Sequence, residues 1–114
     1  MLDRGGVYLA SLYPSKGSEV GKTRPVLVLQ TDFLNAIGHS TVIIVPLSTV
    51  IIEESYPLRF NIEKRDKLKQ NSQLLCDQIR SIDIKRVAGE KLTQLSYEEM
   101  IGIEEQIQLI LDFN

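Results

Sequence analysis

The chain has one cysteine and one histidine among its 114 residues. A lone cysteine, Cys76, excludes an intrachain disulfide and any zinc finger built on paired cysteines. A lone histidine, His39, excludes two-histidine acid/base catalysis within one chain and most histidine metal sites. Long apolar runs are missing as well. The longest goes from Val42 to Val45 and extends through Pro46 to Leu47, far short of the roughly 20 residues that a membrane span needs. The N-terminus, Met1 to Gly6, carries no apolar stretch of signal-peptide length. These absences lead to the expectation of a cytoplasmic protein in a reducing compartment. Basic residues are missing from 92–114, which hold five acidic groups.

What is present is 43% hydrophobic and 25% charged residues, the profile of one globular domain spanning 1–114. A chain of this length buries roughly two thirds of the surface it exposes unfolded, so it can build a core without staples. Charge is unevenly placed. Residues 1–58 have net charge −1, residues 59–91 net +4, and residues 92–114 net −5. A basic middle can face phosphates or simply form a solvated surface.

Strands come first and one clear helix last. Val7 to Leu12 reads as a first strand. Tyr13 to Thr23 is a polar loop with Pro14, Gly17 and Gly21 as turn formers. Pro25 to Leu29 is a second strand, and Asp32 to Ile37 a short helical turn capped by Asp32 or Thr31. Thr41 to Leu47, short and β-branched, reads as a central buried strand. Leu58 to Ile62 alternates as a half-buried strand should. Gln73 to Ile79 reads as another strand and Val87 to Leu92 as the last. The final helix is the best signalled: Ser96 and Glu99 form a capping box, and Leu95 and Met100 a hydrophobic staple. Met100, Ile103, Ile107 and Ile110 recur at helical spacing as a core stripe, with Glu98, Glu99, Glu104 and Glu105 on the polar sides. Several short strands closed by one helix predict a small antiparallel barrel with the helix packed on it.

Pattern alone singles out few chemical groups. Arg24 precedes Pro25, so its backbone is driven to an extended conformation at the mouth of the second strand. Ser48 and Thr49 follow the central strand. A fixed guanidinium beside a hydroxyl makes a phosphate cradle, although an ordinary surface arginine and turn-forming hydroxyls give the same pattern. Cys76 lies mid-strand among apolar neighbours and reads as filler.

Three segments carry a resemblance. They are Gly17 to Gln30 (GSEVGKTRPVLVLQ), Val42 to Thr49 (VIIVPLST) and Leu75 to Asp83 (LCDQIRSID). In order and spacing they resemble the MazF/PemK family of toxin endoribonucleases, over nearly the whole chain. The resemblance implies an SH3-like antiparallel barrel, mainly β, with a C-terminal helix. It places a catalytic arginine on Arg24 and a catalytic hydroxyl on Ser48, where many members have threonine; Thr49 is a competitor for that role. It places RNA-reading residues on Ser18, Glu19, Gln78 and Tyr56. Asp77 stands where a glutamate is usual, and Thr23 and Arg80 lie beside these positions. The family's opening Arg-Gly-Asp reads Arg4-Gly5-Gly6 here, a carboxylate fewer.

The implied activity is sequence-specific cleavage of single-stranded mRNA without metal or cofactor. RNA carries its own nucleophile, the 2′-hydroxyl, so the enzyme needs to align the reacting atoms and stabilise charge on the phosphoryl oxygens. The products would be a 2′,3′-cyclic phosphate, or its opened form, and a 5′-hydroxyl. The implied partners are a second copy of the chain and a MazE-like acidic antitoxin. The alternative is a CcdB-like toxin, similar in fold, that binds and poisons DNA gyrase without catalysis.

Overall fold

The computed structural model describes residues 1–13, 17–18 and 22–113. Among the described residues the elements are β1 (Gly6–Ser11), β2 (Thr23–Val28), α1 (Asp32–Ala36), β3 (Thr41–Ser48), β4 (Arg59–Ile62), β5 (Ser72–Leu75), β6 (Arg80–Asp83), β7 (Val87–Gln94) and α2 (Tyr97–Leu111). A single 3-10 turn, Ile84–Arg86, precedes β7. Thr31 caps α1 by accepting from the Phe33 amide. Of the turn formers in the loop after β1, Gly17 has φ +55°; Pro14 and Gly21 lie outside the described residues.

Every ladder is antiparallel, in the order β4-β5-β3-β2-β1-β7, with β6 also on β3. β3 is the branch point: Thr41 to Ile44 pair with β6, whereas Leu47 and Ser48 pair with β5. The barrel is left unclosed, because β4 and β7 stand at the two ends of the path. A tight turn spans the gap. Arg65 and Leu68 bond each other's backbone, the Lys67 amide donates to the Leu92 carbonyl at 3.0 Å, and the Thr93 hydroxyl donates to Asp66 at 2.6 Å.

One strand is shorter than its sequence suggests. The run from Gln73 to Ile79 leaves the sheet after Leu75, where the Gln78 amide bonds back to the Leu75 carbonyl at 2.9 Å. The chain reverses there and β6 begins at Arg80, a strand that sequence pattern did not separate from its predecessor. Cys76 still fills the core and is fully buried. Burial, with the charge of Asp77 adding to it, pushes its thiol up to about 12. It is a protonated filler.

The sheet buries both faces. On one, Val7, Leu27, Val45, Leu47 and Leu74 pack against Leu95, Met100, Ile103 and Ile107 of the α2 segment. Each fully buried aliphatic side chain of this kind contributes about 1.5–3 kcal/mol. On the other, Tyr8, Val26, Val28, Val42, Ile44 and Ile82 form a second cluster. Both the capping box and the staple are present, with Leu95 and Met100 buried in the first cluster. Gly102 is the helix residue facing Phe60; a Cβ there would lie 2.8 Å from the ring. Gly6 has a similar constraint: a Cβ would lie 2.7 Å from the Tyr8 ring. Tyr8 therefore occupies the room that a side chain at position 6 would need, and its hydroxyl accepts from the Asp3 amide at 3.0 Å.

The polar sides of α2 are less solvated than expected. Arg4 pairs with Glu104 at 3.1 Å, and Arg65 grips Glu99 with two bonds of 2.9 Å. Burial raises the Glu99 carboxyl, but the bonds from Arg65 and the Ser96 amide outweigh it, and the net shift is downward. Such a group stabilises fully above the ordinary carboxylate range and loses its contribution as pH falls through its lower folded value. Glu99→Gln is therefore expected to flatten the fall in Tm below about pH 5, measured by thermal melts across pH. An unchanged acid limb would mean that other carboxylates govern it.

Candidate active site

The prolines shape the site. Pro25 and Pro46 have no N–H, and the β2–β3 ladder ends at Val26 opposite Pro46. Beyond that pair the strands separate around a cleft. Arg24 lies two residues before Val26 on β2, and Ser48 two residues after Pro46 at the end of β3. Both line a cleft of about 190 Å³ with Lys22, Thr23, Thr49 and Val50. Arg24 is half-buried and donates from Nη1 to the Leu47 carbonyl at 3.2 Å. Burial lowers its pKa, with Tyr13 acting in the opposite direction. A guanidinium keeps its proton even so, and partial desolvation strengthens its attraction for an oxyanion. Ser48 is half-buried at the strand end, where its Oγ accepts from the Val50 amide at 3.1 Å. Thr49 is exposed.

The other predicted residues gather elsewhere. Ser18, Asp77, Gln78 and Arg80 line a second cleft of about 340 Å³ with Ile79. Among the described residues, Nη1 of Arg80 is buried with no hydrogen-bond partner. Glu19 lies outside the described residues. Tyr56 is 69% exposed on a third cleft of about 400 Å³, formed by residues 51–56 with β4, Gln73 and Gln106. The structure thus distributes the predicted residues over three separate clefts, with Tyr56 apart from the other two groups.

Two residues missed by sequence reading hold the segment between Ser48 and Tyr56. Gln73 faces Ser48 in the β3–β5 ladder and is buried. Its amide accepts from Ile52 N at 3.0 Å and donates to Ile52 O at 3.1 Å and to Asn61 Oδ1 at 2.8 Å. Nη1 of Arg59 donates to Gln73 Oε1 at 3.2 Å and to the Val50 carbonyl at 2.9 Å. Below them Gln106 of α2 donates to the carbonyls of Pro57 and Arg59 at 2.8 and 2.9 Å. Inward-facing glutamines leave no periodic signal, which is why pattern did not find them. Among the described residues no three of His, Cys, Asp and Glu are grouped to hold a metal ion. Among the described residues no helix is long and apolar enough to cross a membrane.

A partly desolvated arginine and a hydroxyl thus line one cleft on a small antiparallel sheet backed by one helix. Residues 3–111 match the family model described as PemK-like, MazF-like toxin of type II toxin-antitoxin system, and the chain belongs to that family. The "Endoribonuclease MazF" of Staphylococcus epidermidis is 41% identical over 115 residues, spanning 100% of this chain and 94% of its own. Among solved structures, MazF from Deinococcus radiodurans superposes with TM-score 0.81 at 20% identity, covering 98% of this chain and 97% of its own. An endoribonuclease in complex with its cognate antitoxin, from a mycobacterial species, gives TM-score 0.77 at 19% identity, covering 100% and 98%. These two likenesses define the fold.

Proposed function

We propose that residues 1–114 form one sequence-specific endoribonuclease toxin that cuts single-stranded mRNA without a metal, acts as a homodimer in the cytoplasm, and is neutralised by a cognate acidic antitoxin. The observation that carries this reading is that Arg24 and Ser48 line one cleft. The name of the staphylococcal relative and the antitoxin complex of the mycobacterial fold relative support it.

The residues suit cleavage by the RNA itself. The 2′-oxygen forms a bond to phosphorus and loses its proton. The bond from phosphorus to the 5′-oxygen breaks, and that oxygen gains a proton. Arg24 stabilises the charge gathering on the phosphoryl oxygens. The Ser48 hydroxyl bonds the same phosphate and, with Thr23 and Thr49 around it, fixes the in-line arrangement. Ser18, Glu19, Asp77, Gln78 and Arg80 read bases and backbone, and Tyr56 stacks on a base.

The test is purified protein, folded and free of antitoxin, on a long RNA of known sequence in EDTA, with cut sites mapped by primer extension. Cuts at one short recurring motif with 5′-hydroxyl ends are expected. No cuts over a range of RNAs would overturn the reading, and inhibition of gyrase supercoiling would then point to non-catalytic poisoning.

A further inference from the structure

We propose that the apolar crevice beside the Arg24–Ser48 cleft is a nucleotide subsite, taking the nucleotide adjacent to the scissile phosphate. This rests on the ribonuclease reading and extends it to a place that none of the predicted site residues except Thr49 occupies. The crevice measures about 290 Å³, with Leu9, Pro25, Leu68 and Leu92 as its floor and Lys67 and Lys69 on its rim. It adjoins the cleft, since Pro25 and Thr49 line both. That adjacency places it beside a phosphate bound at Arg24.

The lining matches a nucleotide in kind. A base offers flat apolar faces that four aliphatic side chains can cover, and its phosphate needs a cation at the edge. The volume lies at the small end of ligand sites and fits one ring system. Leu9 is 40% exposed although it sits in an interior strand of the sheet, so apolar surface is left open here. Lys67 is already paired with Glu90 at 3.1 Å. Lys69 has no ion pair among the described residues, which leaves its charge for a phosphate. The turn that carries both lysines is clamped to β7 through the Lys67 amide, so the rim is fixed before any ligand arrives.

The test compares wild type, Lys69→Glu and Lys64→Glu, the last an equal charge change outside the crevice. The substrate is an RNA carrying a mapped cut site with three flanking nucleotides on each side. Lys69→Glu is expected to raise KM about tenfold, far more than it moves kcat, with Lys64→Glu near wild type. In the wild type, an abasic residue at one of the two positions flanking the cut is expected to raise KM similarly. Equal KM for all three proteins, or indifference to both abasic replacements, would overturn the proposal. So would a Lys69→Glu defect confined to binding of an acidic, antitoxin-like peptide. If the wild type cuts no RNA, the ribonuclease reading fails separately. The subsite is then decided by fluorescence anisotropy with the same RNA made 2′-deoxy at the cut: tenfold weaker binding by Lys69→Glu supports it, and equal binding overturns it.

Discussion

Arg24→Ala is expected to lower RNA cleavage by about a hundred- to a thousandfold, the usual cost of deleting one preorganised group that stabilises developing charge. Fold and melting temperature are expected to stay close to wild type. The strand that carries Arg24 is held by backbone pairing with β1, where Ala10 faces it, and by Val26, Leu27 and Val28, all fully buried. Arg24→Lys keeps the charge but loses the planar fork, and a point charge cannot grip two phosphoryl oxygens in the same geometry. It should recover only part of the rate. Single-turnover cleavage of an oligonucleotide containing the mapped motif, beside a thermal melt, checks both. Undiminished cleavage by the alanine variant would remove Arg24 from the mechanism. A collapsed melt would show that the arginine supports the fold.

The second large effect is expected at Gln73, which touches no substrate in this reading. Gln73→Leu keeps the side chain's bulk and deletes its amide. The Ile52 N–H then loses its acceptor, its carbonyl keeps only the Ser55 hydroxyl, and Arg59 Nη1 loses one of its two acceptors. Unpaired groups of this kind cost about 1–3 kcal/mol. The loop leading away from Ser48 also loses its anchor, and a misplacement of about 1 Å at a reacting centre can cost up to a hundredfold in rate. Denaturant unfolding and kcat at saturating RNA separate these two losses. Gln73→Glu keeps an acceptor for Ile52 N and Arg59 but loses the donor, so it should fall between. A leucine variant that is less stable yet has unchanged kcat would mean that Gln73 serves the fold and not the site.

These positions show which parts of the molecule can be read from sequence. The α2 helix was legible because its signals are local: a capping box three residues apart, a staple, and a stripe at helical spacing. Arg24 and Ser48 were legible as strand-end positions, one before Pro25 and one after the central strand, while the roles assigned to them rest on the resemblance. The break between β5 and β6 was not. Cys76 to Ile79 contains no glycine or proline, and the reversal depends on β3 offering different partners along its length. Gln73, Arg59 and Gln106 were illegible for the same reason. Their partners lie between 9 and 49 residues away, and nothing in the flanking sequence says that a polar side chain there turns inward. Tyr56 is exposed on a loop that opens on a cleft of its own, which sequence could not say.

The intrachain ion pairs have a consequence for salt. Of the cations between residues 59 and 91, Arg65, Lys67 and Lys91 already rest on Glu99, Glu90 and Asp3. Arg59 and Arg86 aim their donors at the backbone carbonyls of Val50 and Tyr13. A polyanion sheds condensed counterions only where a protein cation replaces them. Among the described residues the other six of the nine cations in this segment form no ion pair, so the salt dependence of RNA binding should be shallower than a count of nine implies and be set by those six. A segment that reads as basic in composition thus offers RNA less unpaired positive charge than its sequence suggests.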